Sequence, residues 1–330
     1  MKKLIRTLGA LLLSAALAGC QTNGTATTSA GGGDTAASTT AAQATVPLST
    51  TAAAVAEATS YPYTFKSPAG EDVIIDSEPQ RIVSISPTFT EIVFGIGAGD
   101  RLVGRTDYCD YPVETTEVPS VGSMTQPSVE AIIALEPDVV LVSFMEEEML
   151  DKIELSGATV VQMQSSNSIV ESYGVMEELG RILNVSEEAA GVVQGIKADI
   201  QEVTAVIEGL EPVSVYYVAG FGQGGDYTAG GDTFMNDLME AAGATNAGAD
   251  AEGWSYSAEK LIEKDPDYIV IGSMAAMTDE FKTTEPYSSL TAVKEDRVME
   301  IDDNLISREG PRLAQGVRLM AEIFHPEAFK

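Results

Sequence analysis

The sequence predicts an α/β protein of two similar lobes, each built on a mostly parallel sheet and joined by one long helix. Three observations predict this fold. Apolar strand-like runs alternate with helical runs through most of the chain, which is typical of parallel sheets covered by helices. One long helical pattern separates two such series, and one helix-to-strand unit occurs in each. A ligand cleft is expected between the lobes, where loops at the facing strand ends meet.

The first 60 residues indicate export and anchoring. Residues 1–19 have three basic residues ahead of an apolar run that is shorter than the ~20 residues of a membrane span, as in a signal peptide. The following "LAGC" resembles the bacterial lipobox, so we expect a lipoprotein whose Cys20 is lipidated and anchors it outside the cytoplasm. An ordinary secretory signal with an incidental cysteine is the alternative. Residues 20–60 are rich in Thr, Ala, Gly and Ser and predict a disordered tether.

The N-terminal lobe is predicted over residues 61–185. "YPYTFKSPAGEDVIIDSEPQ" alternates like a β-hairpin. Strands and helices then alternate in the order expected for a parallel sheet. The strands are Ile82–Ile85, "RLVGRT", "VVLVS" and "TVVQM", and the helices are Thr90–Gly97, Val129–Leu135 and Ser168–Leu183.

The interlobe helix is predicted over residues 186–211. Its apolar residues recur at steps of four and three and so share one face: Ile196, Ile200, Val203, Ile207 and Leu210. About 25 residues would span roughly 37 Å, enough to lie across two lobes. The C-terminal lobe, residues 212–330, restarts the alternation with strands "VSVYYVAG", "DYIVIG" and "RVMEID" and helices "TFMNDLMEAAG", "AEKLIEK" and "GPRLAQGVRLMAEIF".

The repeated unit is visible without gaps. "PSVEAIIALEPDVVLV" in the first lobe aligns with "YSAEKLIEKDPDYIVI" in the second. Ser128 and Ser257 are suited to cap the two helices, and Glu130 and Glu259 lie in their first turns. By the residues alone, these glutamates could simply complement the helix dipoles.

Composition excludes several function classes. Fifty acidic residues against 19 basic ones argue against nucleic-acid binding. Cys109 is the only cysteine after Cys20, so no internal disulfide can form. The only histidine, His325, lies in a tail after the last helix, which argues against a bare metal ion as cargo and against a Cys–His nucleophile. An exported hydrolase is nevertheless kept as the alternative from another class.

Several motifs together resemble one family. "PQRIVSISPTFTEIVFGIGAGDRLVG", "TDYCDYP", "SREGPRL" and the repeated unit are similar to the ABC-importer substrate-binding proteins that carry cobalamin, haem or ferric siderophores, from about Ser60 to the C-terminus. The resemblance implies a non-enzymatic, monomeric receptor without a cofactor, which delivers a corrinoid or an iron chelate to a permease and its ATPase subunits. It also implies that Glu130 and Glu259 dock onto permease arginines.

The motifs are most similar to those of vitamin B12-binding proteins, which implies a set of ligand contacts. Aromatic contacts fall on Tyr108, Tyr227 and Trp254, and a polar contact falls on Arg308. Two positions depart from that pattern, with Met124 in place of a stacking tryptophan and Asn304 in place of an aspartate. The implied ligand-binding residues are therefore Tyr108, Met124, Tyr227, Trp254, Asn304 and Arg308.

A corrinoid is the ligand we expect first, and a ferric siderophore or haem is the alternative. Catecholate siderophores are strongly anionic and favour several arginines, whereas only Arg308, and Arg105 as a second candidate, can be assigned to the cleft. The residues themselves leave other roles open. Arg308 could pair with an acidic neighbour, and Trp254 could anchor a core.

Overall fold

The computed structural model describes residues 58–330. The predicted signal peptide, Cys20 and nearly all of the predicted tether lie outside the described residues. Within the described part of the chain, no helix combines the length and the apolar character that crossing a membrane requires.

The N-terminal lobe begins with an antiparallel hairpin, β1 (Tyr63–Lys66) and β2 (Asp72–Ile75). A four-stranded sheet follows, ordered β4-β3-β5-β6 with every pair parallel. Its strands are β3 (Ile82–Ser84), β4 (Leu102–Arg105), β5 (Val139–Val142) and β6 (Thr159–Gln162). Its helices are α1 (Pro87–Gly95), α2 (Val129–Ala134), α3 (Glu147–Glu154) and α4 (Ile169–Ile182).

The helix that joins the lobes is α5 (Ser186–Val206). Its 21 residues span about 31 Å at ~1.5 Å each. Val193, Ile196 and Val203 form its buried face. This face matches the apolar periodicity of the sequence, and its side chains pack between the two lobes.

The C-terminal lobe repeats the pattern with a second four-stranded parallel sheet, ordered β12-β11-β7-β9. A separate two-stranded antiparallel ribbon pairs β8 with β10. The strands are β7 (Val213–Val218), β8 (Asp226–Tyr227), β9 (Ala244–Asn246), β10 (Ser255–Tyr256), β11 (Tyr268–Gly272) and β12 (Val298–Ile301). The helices are α6 (Phe234–Ala241), α7 (Ala258–Lys264), α8 (Thr278–Thr283), α9 (Thr291–Lys294), α10 (Asp303–Ile306) and α11 (Leu313–Phe324).

The two large sheets match strand for strand. Reading the first as β4-β3-β5-β6 and the second as β9-β7-β11-β12 gives the same order and the same parallel sense. The repeated sequence units become α2–β5 and α7–β11, which occupy equivalent places in the two sheets. The predicted fold class, two similar α/β lobes joined by one helix, is confirmed.

Three apolar cores hold this arrangement together. The largest runs from the N-terminal lobe through α5 to α6 and α11 of the other lobe. Two smaller cores fill the outer layers, one around Ile132 and Ile153 and the other around Leu261 and Phe281. Because α5 buries apolar surface against both lobes, a wide separation of the lobes would expose that surface to water.

Two helix boundaries differ from the pattern in the sequence. Helix α1 begins at Pro87, three residues before Thr90, because a proline has a suitable φ and needs no N–H partner at the first helical position. Helix α5 ends at Val206, short of Leu210. Gly209 there adopts a φ of +79°, which takes the backbone out of the helical path.

The close contact between α4 and α5 supplies a test of this packing. A Cβ on Gly180 would lie 2.4 Å from the Cβ of Ala189, whereas a Cβ on Gly174, also in α4, would meet nothing within 4 Å. We expect Gly180→Ala to lower the free energy of unfolding by roughly 1–3 kcal/mol through overpacking. Gly174→Ala should raise it by about 0.5–1 kcal/mol. Urea denaturation measures both, and equal effects would contradict the packing.

Candidate functional site

The cleft lies where loops after the strands of both sheets face each other. Two adjacent cavities occupy it, of about 260 Å³ and about 300 Å³. Both cavities are lined by Ser165 from the N-terminal lobe and by Ser307 and Glu309 from the C-terminal lobe. The carboxyl ends of parallel strands are the usual place for a ligand in α/β proteins.

The smaller cavity contains four of the six residues implied by the sequence, and both lobes contribute to it. They are Tyr108, Met124, Asn304 and Arg308. Met274, which follows β11, lines the same cavity and is 67% exposed, and Tyr108 is 49% exposed. Large apolar side chains left exposed in a concave surface are typical of a ligand-binding site.

The larger cavity contains Trp254, which is 44% exposed. The ribbon of β8 and β10 holds this residue, since the Thr228 N–H donates to the Trp254 carbonyl at 2.9 Å. Tyr227 pairs with Ser255 on the same ribbon. Its hydroxyl donates to the Gly224 carbonyl at 3.0 Å, and it lines neither cavity. The structure thus brings Tyr227 to the strand beside Trp254 but not to the cavity wall.

Arg308 is only 9% exposed and is already paired. Its Nη1 donates to Glu91 Oε1 at 2.7 Å and to Asp110 Oδ1 at 2.8 Å. Its Nη2 donates to the Tyr108 carbonyl at 3.2 Å. Arg308 therefore lines the cavity and also forms ion pairs across the lobes, so most of its positive charge is compensated by the protein itself.

Glu91, in α1, is the centre of this ion cluster and is 2% exposed. Arg312 also binds it, with Nε 2.8 Å from Oε2 and Nη2 2.6 Å from Oε1. The Arg312 guanidinium lies 4.0 Å above the Tyr111 ring. Burial acts to lower the pKa of Arg312, but the Glu91 carboxylate outweighs it, and the pKa is raised.

Arg105 does not reach the cleft. Its guanidinium donates to the carbonyls of Thr115 at 2.9 Å and Thr106 at 2.8 Å, and so fixes the loop that carries Tyr108. Cys109 belongs to the same loop and is buried, with its sulfur 3.2 Å from the hydroxyls of both Thr90 and Thr106. These contacts hold the "TDYCDYP" loop and direct it toward the smaller cavity.

Glu309 is the acidic residue common to both cavities, and it is not among the site residues implied by the sequence. Burial raises the pKa of its carboxyl to about 7, although the backbone N–H groups of Glu309 and Ser166 act in the opposite direction. No ion pair to it occurs among residues 58–330. Its position directly after Arg308 was the available signal. Met274 was also missed, and its signal was its place just after a strand of the repeated unit.

Glu130 and Glu259 are both exposed, in the first turns of α2 and α7. The Ser128 hydroxyl accepts from the Ala131 N–H at 3.2 Å, and the Ser257 hydroxyl accepts from the Lys260 N–H at the same distance. The caps are therefore equivalent in the two lobes, and both carboxylates face solvent.

Substitutions at the two acids that bind Arg308 should differ sharply. Glu91→Ala leaves two buried guanidinium groups without their carboxylate, and we expect it to lower the free energy of unfolding by roughly 3–5 kcal/mol. Asp110→Ala, whose side chain is 55% exposed, should cost less than about 1 kcal/mol. Urea denaturation at pH 7 compares them, and similar losses would contradict the central role of Glu91.

The model of the family described as "Periplasmic binding protein" matches residues 82–305. The chain is 34% identical to an uncharacterised ABC transporter substrate-binding lipoprotein of Bacillus subtilis, over 82% of this chain and 88% of that protein. It is 29% identical to a cobalamin-binding protein of Halobacterium salinarum, over 81% and 75%. A periplasmic haem-binding protein from Roseiflexus sp. RS-1 has the same fold, with a TM-score of 0.68, 23% identity and coverage of 76% and 99%. The chain belongs to the periplasmic binding protein family and is a substrate-binding protein of an ABC transporter.

Proposed function

We propose that the chain is a lipid-anchored, monomeric receptor on the outer side of the cell membrane, which binds a corrinoid and delivers it to its permease. The observation that carries this proposal is the cleft between the lobes, where exposed Tyr108, Met274 and Trp254 line adjoining cavities. Broad apolar side chains on both sides of a cleft suit a large flat macrocycle. The lipoprotein relative supports the anchor at Cys20.

The charges in the cleft favour a corrinoid over the anionic ligands of the same class. Glu91 and Asp110 compensate Arg308, and Arg105 binds loop carbonyls outside the cavities. Haem carries two propionates, and catecholate siderophores carry several negative charges. Neither ligand would meet a cleft arginine that is not already paired with a carboxylate of the protein. The cobalamin-binding relative supports the same order of ligands, while the haem-binding structure keeps haem as the second candidate.

Binding without catalysis is also proposed. The relatives are binding proteins. His325 and Cys109, the pair that an exported hydrolase would need, each have their own partners. His325 Nε2 lies 2.9 Å from the Gly243 carbonyl, and the Cys109 sulfur lies between two threonine hydroxyls. Within residues 58–330, no group of three or more His, Cys, Asp or Glu side chains could hold a metal ion.

Ligand titration tests the proposed cargo. Purified mature protein should bind cyanocobalamin with one-to-one stoichiometry in isothermal titration calorimetry, and should bind haemin or a ferric catecholate more weakly. Trp254→Ala should weaken cyanocobalamin binding roughly 10-fold, because one side of the macrocycle loses its aromatic contact. Phe144→Ala, which removes an exposed aromatic residue outside the wall of either cavity, is the control. Tight binding of haemin alone would replace the corrinoid with haem.

Docking to the permease is proposed to depend on Glu130 and Glu259. They are exposed, they begin equivalent helices in two lobes of the same topology, and no ion pair to either occurs in residues 58–330. Two equivalent carboxylates suit a permease built from two equivalent halves. Charge-assisted pairs with permease arginines would add both attraction and register.

Charge reversal separates docking from ligand binding. The double variant Glu130→Arg, Glu259→Arg should bind cyanocobalamin as tightly as the native protein but reduce its uptake at least 10-fold in cells that depend on this receptor. The variant Glu208→Arg, Glu322→Arg changes the net charge equally at two other exposed positions and should take up cyanocobalamin normally. Normal uptake by the first variant would refute the docking role.

A further inference from the structure

Glu309 lies at the junction of the two cavities. It follows α10 in the C-terminal lobe, and its carboxyl is close enough to Ser166 of the opposite lobe for that backbone N–H to affect its pKa. The residues common to both cavities are Ser165, Ser307 and Glu309, and Glu309 is the only one that carries charge. A ligand that fills both cavities must therefore pass this carboxyl group.

The adjacent arginine does not neutralise this carboxylate. Arg308 directs its guanidinium to Glu91, Asp110 and the Tyr108 carbonyl. Within the described part of the chain, no cationic side chain pairs with Glu309, and the backbone N–H groups of Glu309 and Ser166 are the groups that act on its carboxyl. Its oxygens therefore keep acceptor capacity toward the cavities.

A half-buried carboxylate without a cation is costly for a protein unless something else uses it. The side chains around it are mainly hydroxyls and aromatic groups, which would not compete strongly with a ligand for the same oxygens. They include Ser165, Ser166, Ser307, Thr233, Tyr217 and Trp254. An edge of the ligand that carries N–H or O–H groups would satisfy the carboxylate, and an edge that carries carboxylates would be repelled by it.

We propose that Glu309 is a specificity-determining residue of the cleft: its carboxylate accepts hydrogen bonds from N–H or O–H groups of the ligand and rejects ligands that present carboxylates. This proposal rests on the proposed function and narrows it to ligands with carboxamide or hydroxyl edges. A corrin with a periphery of carboxamides satisfies that requirement, and haem with its two propionates does not.

Three ligands and three proteins test the proposal in calorimetric titrations at pH 8. The ligands are cyanocobalamin, cobyrinic acid, which carries carboxylates in place of the carboxamides of the corrin, and haemin. The proteins are the native chain, Glu309→Gln, and Glu208→Gln as a control at an exposed glutamate outside the cleft. Glutamine keeps the size of the side chain and removes its charge.

Glu309→Gln should weaken cyanocobalamin binding about 10-fold and tighten cobyrinic acid and haemin binding about 10-fold, so the preference between the two corrins falls about 100-fold. The control should keep the native preference. An unchanged preference would overturn the role of Glu309 while leaving the corrinoid receptor intact. If the native protein binds only haemin, the corrinoid function fails, and the claim that Glu309 rejects carboxylate-bearing ligands fails with it. Failure of the native protein to bind any of the three would overturn both proposals.

Stability provides a second readout that is independent of the ligand. The carboxyl has a pKa of about 7 in the folded protein against an ordinary value of 4.5, so ionisation destabilises the folded state progressively as pH rises between those values. Other ionisable side chains also lie around the two cavities. They are Tyr108, Tyr217 and Arg308, with Glu91, Asp110 and Arg312 packed behind Arg308.

The urea midpoint of Glu309→Gln should therefore exceed that of the native protein, by more at pH 8 than at pH 5. A variant that is more stable and also binds cyanocobalamin more weakly fits a ligand-directed carboxylate. A variant that is less stable at pH 8 and binds all three ligands more weakly would show that Glu309 acts only in packing, and would overturn the proposal.

Discussion

The buried carboxylate of Glu91 is the constraint on which the cleft depends. One acid on α1 of the first lobe binds two arginines from the segment that precedes α11 in the second lobe. A charge so far from water is tolerated only while these bonds persist, so the relative position of the two segments is closely fixed. The same cluster restrains Arg308, which also contacts the loop of Tyr108. The ion pairs of Glu91 therefore both fix the position of Arg308 in the cleft and compensate its positive charge.

Two glutamates near Arg308 have opposite environments: Glu91 binds it from the other lobe, and Glu309 follows it directly in the sequence. Glu91 is surrounded by guanidinium groups, whereas Glu309 faces the cavities, and burial raises its pKa. The first contributes to a single arrangement of the lobes, and the second leaves a charge in the place where a ligand would lie. Proteins commonly accept such a local cost at binding sites, and the large shared core around α5 compensates for it.

The sequence was sufficient for the fold because its signals were periodic and repeated. The apolar face of α5, the β-branched strands and the gap-free unit at Ser128 and Ser257 each specify local structure, and the equivalent order of the sheets follows from them. The site was less predictable. Motif similarity predicted site residues such as Trp254 but could not show that Arg308 pairs with Glu91, which is 217 positions away in sequence. Glu309 lies within the "SREGPRL" motif but was not among the implied contacts, and Met274 lies outside the motifs; the tertiary arrangement places both in the cavities.

Trp254 is the only tryptophan among 330 residues, and it lies on a short ribbon outside both large sheets. Light absorbed selectively by indole is therefore absorbed at one known point of the molecule. Its emission reports on the wall of the larger cavity, to which both lobes contribute, and on the β8–β10 ribbon. Agreement between this signal and far-ultraviolet circular dichroism during denaturation would therefore measure how cooperatively the two halves of the molecule unfold.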